Sequence, residues 1–412
     1  MKIIGNIGAK SNDREELKKQ DGYNKNNKNN INNINNNISL NFLVLLDKIS
    51  KDAKINEGRI GVENILRCIY RNQPVSTKKI SQYTKLPLPI VSKVRTILER
   101  NRILKRENKG AIFTETGKEL VEYYLGFKMP YDLKCPECNG KTIILDECFS
   151  EIMAIHKEYA KNRPIVNTSI DQSYATPETA TNRAAFMADR GDLEGKKILF
   201  IGDDDLTSIP TALSELCEEI VVMDIDDRLL NLINSISEED ELNIKTIKHD
   251  FRKPILEEYK GKFDIVFTDP PYTLDGLKLF ISRAIEGLGK DGGVLYLAFS
   301  HKPIDEFLEL QKMLLNCGFV IYELIPGFNT YEGSEIIGNT TFLAKLIGKN
   351  LKMPENIKLD KLYTGEVKPV IRYYKCANCG KIYKINGKTV RIENLKCTCG
   401  KSKFHMVKRE KI

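Results

Sequence analysis

A chain of 412 residues with 41% hydrophobic content has room for two or three cores, which excludes a wholly disordered protein. No apolar run approaches the roughly 18 residues of a membrane span, and the opening MKIIGNIGAKSNDREE lacks an apolar signal region, so the expected location is cytoplasmic, with no membrane partner. The net charge of +8 hides an asymmetry: residues 151–350 carry 21 basic and 34 acidic side chains and the rest 43 and 22, so the middle attracts cations while the flanks suit nucleic acid or an acidic partner.

In chain order, the asparagine tract NKNNKNNINNINNN (24–37) cannot bury enough apolar area to offset its ordering entropy, and residues 1–54 are expected to be disordered. Residues 55–130 read as a winged helix-turn-helix. VENILRCIYRN has a helical pattern, Ser76 is placed to cap the next helix, and Ile90, Val91, Val94, Ile97 and Leu98 recur at helical spacing. A basic turn at Gly110, a short strand and another helix complete the wing. In a DNA reader the third helix enters the major groove, where Ser92, Lys93, Arg95 and Arg100 offer phosphate contacts but thin base reading. Winged helices also dimerise and dock substrates, so nucleic acid stays an open alternative.

Residues 131–160 form a cysteine-containing connector. Cys135 and Cys138 make a C-x-x-C knuckle that Cys148 and His156 can complete as a metal site; the alternative is a reduced knuckle with Cys148 in the core. Residues 161–350 alternate buried strands (KKILFIGDDD, EIVVMDID, NIKTIKHDF, FDIVFTDPPY, GVLYLAFSH) with helical segments, and FVIYELIPG and TTFLAKLIG follow. The expected fold class is α/β, a mostly parallel sheet covered on both faces, with ligands beyond the carboxyl ends of its strands. Asp203–Asp205, Asp224, Asp226, Asp250, Asp269 and His301 fall there. Residues 351–412 carry Cys376, Cys379, Cys397 and Cys399 as C-x2-C, a spacer of 17 and C-x-C, with glycine after each half. Four thiolates on short hairpins specify a structural zinc ribbon with no open ligand position.

The chemistry centres on ILFIGDDDLTSIP. Strand order and strand-end acids resemble the Rossmann-like methyltransferase superfamily. That resemblance assigns Asp224 to the ribose hydroxyls and Asp250 to the adenine amino group, with Gly202 and Asp226 beside them. DPPY, from Asp269 and Pro270 to Tyr272, resembles the motif by which amino-methyltransferases hold a nucleophilic nitrogen. The loop after the first strand then discriminates between cofactors. Three acids oppose the carboxylate of S-adenosylmethionine, since one charge at ~4 Å and an effective dielectric of ~20 is worth ~4 kcal/mol before screening. Decarboxylated S-adenosylmethionine ends instead in an aminopropyl ammonium, which such a loop attracts.

GDDDLTS, with DPPYT downstream and a winged-helix N-terminal part, resembles the branched-chain polyamine synthases, the N4-bis(aminopropyl)spermidine synthases, over roughly residues 55–345. The resemblance implies transfer of aminopropyl groups from decarboxylated S-adenosylmethionine to the central secondary amine of spermidine, twice, with release of methylthioadenosine. It places the key catalytic group on Asp203, Asp204 or Asp205. A carboxylate takes the proton of the attacking amine and holds the developing cation, while the leaving thioether is neutral and needs no acid. The expectation here is Asp204 as base, with Asp203 and Asp205 on the terminal ammoniums. Tyr272 is expected against the acceptor and His301 at the site or in the core. Asp171, Tyr174 and Glu178 belong to the segment that closes over the nucleoside in related enzymes. A homodimer is the expected assembly. The rivals are a DNA amino-methyltransferase, opposed by the acidic loop, and a winged-helix regulator, which leaves the strand-end acids unexplained.

Overall fold

The computed structural model describes residues 42–411 apart from 108–109, 168–169, 333–338, 358–361, 363–369, 387–395 and 402–403, so the asparagine tract lies outside the described residues. Contacts divide the chain into two units: Met1–Val75 with Ser92–Tyr131, and Ser76–Val91 with Asp132–Ile412.

The first unit begins with a helix the sequence reading missed, α1 at 42–53, inside the segment expected to be disordered. Phe42, Leu46, Ile49 and Ala53 are buried at a spacing that forms one helical stripe, enough to dock it. After α2 (Arg59–Asn72) the chain passes through α3 (Thr77–Thr84), which falls in the second unit, and α4 (Leu88–Arg100), which is divided between the two, to the antiparallel pair β1 (Leu104–Glu107) and β2 (Gly110–Phe113) and to α5 (Glu115–Tyr124). The hairpin needs its glycine: Gly110 has φ 147° and a Cβ there would lie 2.3 Å from the Val75 carbonyl oxygen. Ser76 caps α3 as expected, accepting from the Lys79 N–H at 3.2 Å. Two of the four anticipated phosphate contacts on α4 are engaged: Lys93 donates to the Asp52 carbonyl and Arg95 pairs with Glu99 at 3.0 Å. Ser92 and Arg100 are exposed.

The second unit holds α6 (Glu147–Ala160), α7 (Pro177–Asp189) and a seven-stranded mixed sheet. Its strands are β3 (Lys197–Ile201), β4 (Glu219–Asp224), β5 (Ile244–Lys248), β6 (Ile265–Thr268), β7 (Gly293–Phe299), β8 (Phe319–Thr330) and β9 (Thr340–Gly348). Their order is β5-β4-β3-β6-β7-β9-β8, parallel except for β9, which runs antiparallel to both its neighbours. Between these strands lie α8 (Ser208–Leu213), α9 (Asp227–Glu239), α10 (Leu274–Leu288) and α11 (Ile304–Asn316). Strand alternation sends Leu199, Ile201, Val221 and Met223 into one core with residues of α10 and α11, and Ile198, Phe200, Ile220 and Val222 into the opposite core with residues of α7, α8 and α9. Both faces are thus covered, as near-continuous apolar strands require. The strand order reverses at β3, so the loops after β3 and β6 diverge and leave a crevice. A separate three-stranded sheet, β10 (Val370–Cys376), β11 (Ile382–Asn386) and β12 (Phe404–Lys411) in the order β11-β10-β12, carries the last cysteines.

Candidate active site

The carboxyl ends of β3, β4 and β6 open onto a pocket, the place where open α/β sheets bind their ligands. Gly202 turns the chain out of β3 at φ 71°. A Cβ there would find ordinary contacts, Phe280 Cε1 at 3.7 Å and Asp224 Oδ2 at 3.9 Å, so it is the left-handed backbone that favours glycine.

The fold separates the three acids that follow. Asp203 Oδ1 accepts the Thr207 N–H at 2.7 Å and Oδ2 the Ser208 N–H at 3.1 Å, so this carboxylate closes the start of α8. Asp205 accepts the Ala175 N–H on one oxygen and the Arg183 guanidinium on the other. Both are only 3% exposed and neither lines the pocket. Asp204 lines it, half-buried, and its carboxylate makes no hydrogen bond among the described residues. The expectation that Asp203 and Asp205 hold substrate ammoniums is therefore corrected, because backbone amides and a guanidinium already occupy their oxygens. Burial, followed by the charges of Asp205, Asp269, Asp224 and Asp203, holds Asp204 well above the usual carboxylate range. Burial also raises Asp203 to about 8, against the backbone donors that favour its charged form.

Asp224 ends β4 on the pocket wall. Its oxygens accept the Asp226 N–H at 2.8 Å and the Asp203 N–H at 3.0 Å, which fix its orientation. Asp250 also lines the pocket, accepting the Arg252 N–H at 3.0 Å. Asp226 does not. It caps α9, pairs with Arg228 at 2.6 Å and accepts from Gln172 Nε2 at 3.1 Å, and the Arg228 hydrogen bond lowers its pKa. Its expected cofactor contact is thus replaced by a local ion pair.

Asp269, Pro270, Pro271 and Tyr272 also line the pocket, from the end of β6 beside β3. Asp269 Oδ2 accepts from Arg183 Nη2 at 2.7 Å and from the Tyr331 hydroxyl, while Oδ1 has no hydrogen bond among the described residues. Burial raises Asp269 to about 6, with Arg183 pulling the other way. The Tyr272 carbonyl accepts from the buried Lys302 ammonium, which pins the turn, and burial pushes the Tyr272 phenol well up. The result is a carboxyl-lined pocket in which Asp204 and one oxygen of Asp269 make no hydrogen bond among the described residues and can meet a nitrogen ligand.

Of the weaker candidates, Asp171 lines the pocket, at φ 59°. Tyr174 instead donates its hydroxyl to the Pro164 carbonyl at 2.7 Å. Glu178 pairs with Lys157 at 2.9 Å on the surface, with 46% of its side chain exposed, and does not line the pocket, so the expectation of substrate contact is corrected. His301 also lies outside the lining, half-buried with its ring 5.5 Å from that of Phe342, and burial lowers it to about 4. Arg183 and Tyr331 were missed. The available signal was a lone arginine in TATNRAAFMA, a helical stretch otherwise made of small and apolar residues that call for burial.

The sulfurs of Cys376, Cys379, Cys397 and Cys399 lie within 4.8 Å of one another, with 3.3 Å between Cys379 and Cys397 and 3.7 Å between Cys376 and Cys399. Thiolates about a tetrahedral zinc at ~2.3 Å are ~3.8 Å apart, so this set fits the ion. Cys135 and Cys138 form their turn, with Asn139 N–H on the Cys135 carbonyl and Lys141 N–H on that of Cys138, both at 2.9 Å. They do not converge with Cys148 into a metal-holding cluster among the described residues. Cys148 is exposed at the start of α6, whereas His156 is fully buried on that helix with no hydrogen-bond partner for either ring nitrogen among the described residues; the expected third and fourth ligands thus face different surroundings.

The family model for the branched-chain polyamine synthase A C-terminal domain matches residues 151–403, more than half of the chain. An uncharacterized protein of Methanocaldococcus jannaschii is 59% identical over 372 residues, 90% of this chain and 94% of its own length. The N(4)-bis(aminopropyl)spermidine synthases of Thermococcus kodakarensis and of the same M. jannaschii are each 37% identical over 291 residues, 70% of this chain and 82% of theirs. Among solved structures, the branched-chain polyamine synthase of Thermus thermophilus in complex with N4-aminopropylspermidine and 5'-methylthioadenosine superposes with a TM-score of 0.65 at 25% identity, covering 79% of this chain and 98% of that one. The DNA-methyltransferase and regulator readings give way to this agreement. The match runs through the acidic loop, the DPPY turn and on into the cysteine segment, and the chain belongs to the branched-chain polyamine synthase family.

Proposed function

We propose that the protein is an aminopropyltransferase that moves aminopropyl groups from decarboxylated S-adenosylmethionine to the central secondary amine of spermidine, twice, and releases methylthioadenosine each time. The observation that carries this reading is Asp204, a pocket-lining carboxylate that makes no hydrogen bond among the described residues. Asp224 and Asp250 hold the nucleoside, with Gly202 giving it room; Asp269, Pro270 and Tyr272 hold the acceptor. A secondary ammonium gives its proton to Asp204. The freed lone pair attacks the aminopropyl CH2, and the C–S electrons leave on sulfur as a neutral thioether. The new tertiary ammonium loses its remaining proton the same way. In the second round the tertiary amine attacks with no proton left to lose, and the quaternary product needs only the anionic wall. The free charge of Asp204 selects a donor lacking the methionine carboxylate.

The finer organisation belongs to the same proposal. Residues 55–130 are a winged helix-turn-helix, 131–160 a connector, 161–350 the catalytic domain and 351–412 a zinc ribbon whose four cysteines hold a structural zinc. The assembly is a homodimer. With Lys93 and Arg95 engaged, docking suits the winged helix better than nucleic-acid binding. Incubation with spermidine and decarboxylated S-adenosylmethionine, followed by chromatography for branched amines, tests the activity; only linear amines, or no amine product, would overturn it.

A further inference from the structure

The scheme above gives no role to the cation that holds Asp269. Arg183, on α7, is fully buried and uses every face of its guanidinium. Nε donates to Asn329 Oδ1 at 2.8 Å, Nη1 to Asp205 and to Thr207 Oγ1 at 3.2 Å, and Nη2 to Asp269 Oδ2 at 2.7 Å and to the Tyr331 hydroxyl at 3.1 Å. Its anchor is itself fixed, because the buried Asn329 donates from Nδ2 to Thr341 Oγ1 at 2.9 Å and to the Phe342 carbonyl at 2.8 Å. The Tyr331 hydroxyl donates to Asp269 Oδ2 and lies 3.0 Å from Thr341 Oγ1. Strands β8 and β9 therefore orient the fork before it meets the two acids. A lysine could not replace it, since a point charge cannot span two carboxylates in one plane.

The consequence for the acids is asymmetric. Asp269 receives both donors on Oδ2, so its second oxygen is held in a set direction without a protein partner among the described residues. Asp205 is tied back into the core, which leaves Asp204 as the one carboxylate of the loop able to exchange a proton with a ligand. We propose that Arg183, together with Tyr331, is a positioning residue for the acceptor amine: it clamps Asp269 by one oxygen so that the other receives the attacking nitrogen, and it withdraws Asp205 so that proton transfer falls to Asp204. This rests on the aminopropyl reading.

The test compares the full-length chain with Arg183→Gln and Tyr331→Phe, measuring kcat and KM for spermidine and decarboxylated S-adenosylmethionine across pH, with thermal unfolding alongside. Losing the cation disfavours the ionised carboxylates, so the acid limb of kcat/KM should rise by about 1–3 pH units in R183Q. Losing one donor should raise it by about half a unit in Y331F, a variant that only removes an oxygen. In both, KM for spermidine should increase several-fold more than KM for the nucleoside donor. If R183Q does not fold, Y331F decides. An active wild type whose acid limb and spermidine KM are unmoved in Y331F, or in both variants, overturns the clamp and leaves the function standing. A wild type that makes no branched amine overturns the aminopropyl reading and the clamp with it.

Discussion

Replacing Asp204 with asparagine separates catalysis from folding, because in this site the two move in opposite directions. A unit charge at ~4 Å from the developing ammonium, at an effective dielectric of ~20, contributes ~4 kcal/mol, which is about a thousandfold in rate. Loss of a general base alone costs about a hundred- to ten-thousandfold, and since one carboxylate does both jobs the two are not added. Turnover in D204N should therefore fall about a thousandfold. Stability should rise. The folded pKa of Asp204 is raised by burial and by neighbouring acids, so its contribution is present at low pH and is lost as pH rises through the folded value. Asparagine removes a carboxyl whose charged form burial and the neighbouring acids disfavour, and so relieves that cost. Methylthioadenosine affinity should change little, since Asp224 and Asp250 are untouched. The assay is product chromatography with calorimetric titration of methylthioadenosine and a melting curve. Turnover within tenfold of wild type, or a lowered melting temperature, would refute the assignment.

Asp203 should behave in the opposite way: Asp203→Ala removes both acceptors at the start of α8 and should cost about 1 kcal/mol in denaturant unfolding. Above pH ~7.5 buried and free histidines are alike mostly neutral, so the raised carboxylates decide the trend. With Asp203 raised to about 8, denaturant midpoints should fall from pH ~7.5 to ~8.5. A rising midpoint would count against the buried acids. One zinc per chain should be found by elemental analysis and lost in Cys379→Ser, with the ribbon losing protection from proteolysis. A metal-free wild type with the same protection would remove the zinc assignment.

The sheet was legible because parallel strands buried on both faces leave apolar runs that end at acids, and Asp204, Asp224, Asp250 and Asp269 all reach the pocket from such ends. What the sequence hid was the division of labour among equals. Asp205 is removed from the site by Arg183 and the Ala175 amide, groups 22 and 30 residues away that only the fold brings near. Asp203 and Asp226 were readable locally: each precedes a helix whose first amides it caps, and Arg228 stands two residues after Asp226. Their position at strand ends outweighed that cue. The stripe of Phe42, Leu46, Ile49 and Ala53 was likewise present, but its neighbour, the asparagine tract, set the reading for the whole segment.

The central claim is the chemical identity of the product. Mass spectrometry with fragmentation of the amines formed from spermidine and decarboxylated S-adenosylmethionine should give N4-aminopropylspermidine and then the quaternary N4-bis(aminopropyl) product, with one methylthioadenosine per transfer. Aminopropylation at a terminal nitrogen, or methyl transfer from S-adenosylmethionine in its place, would contradict the account.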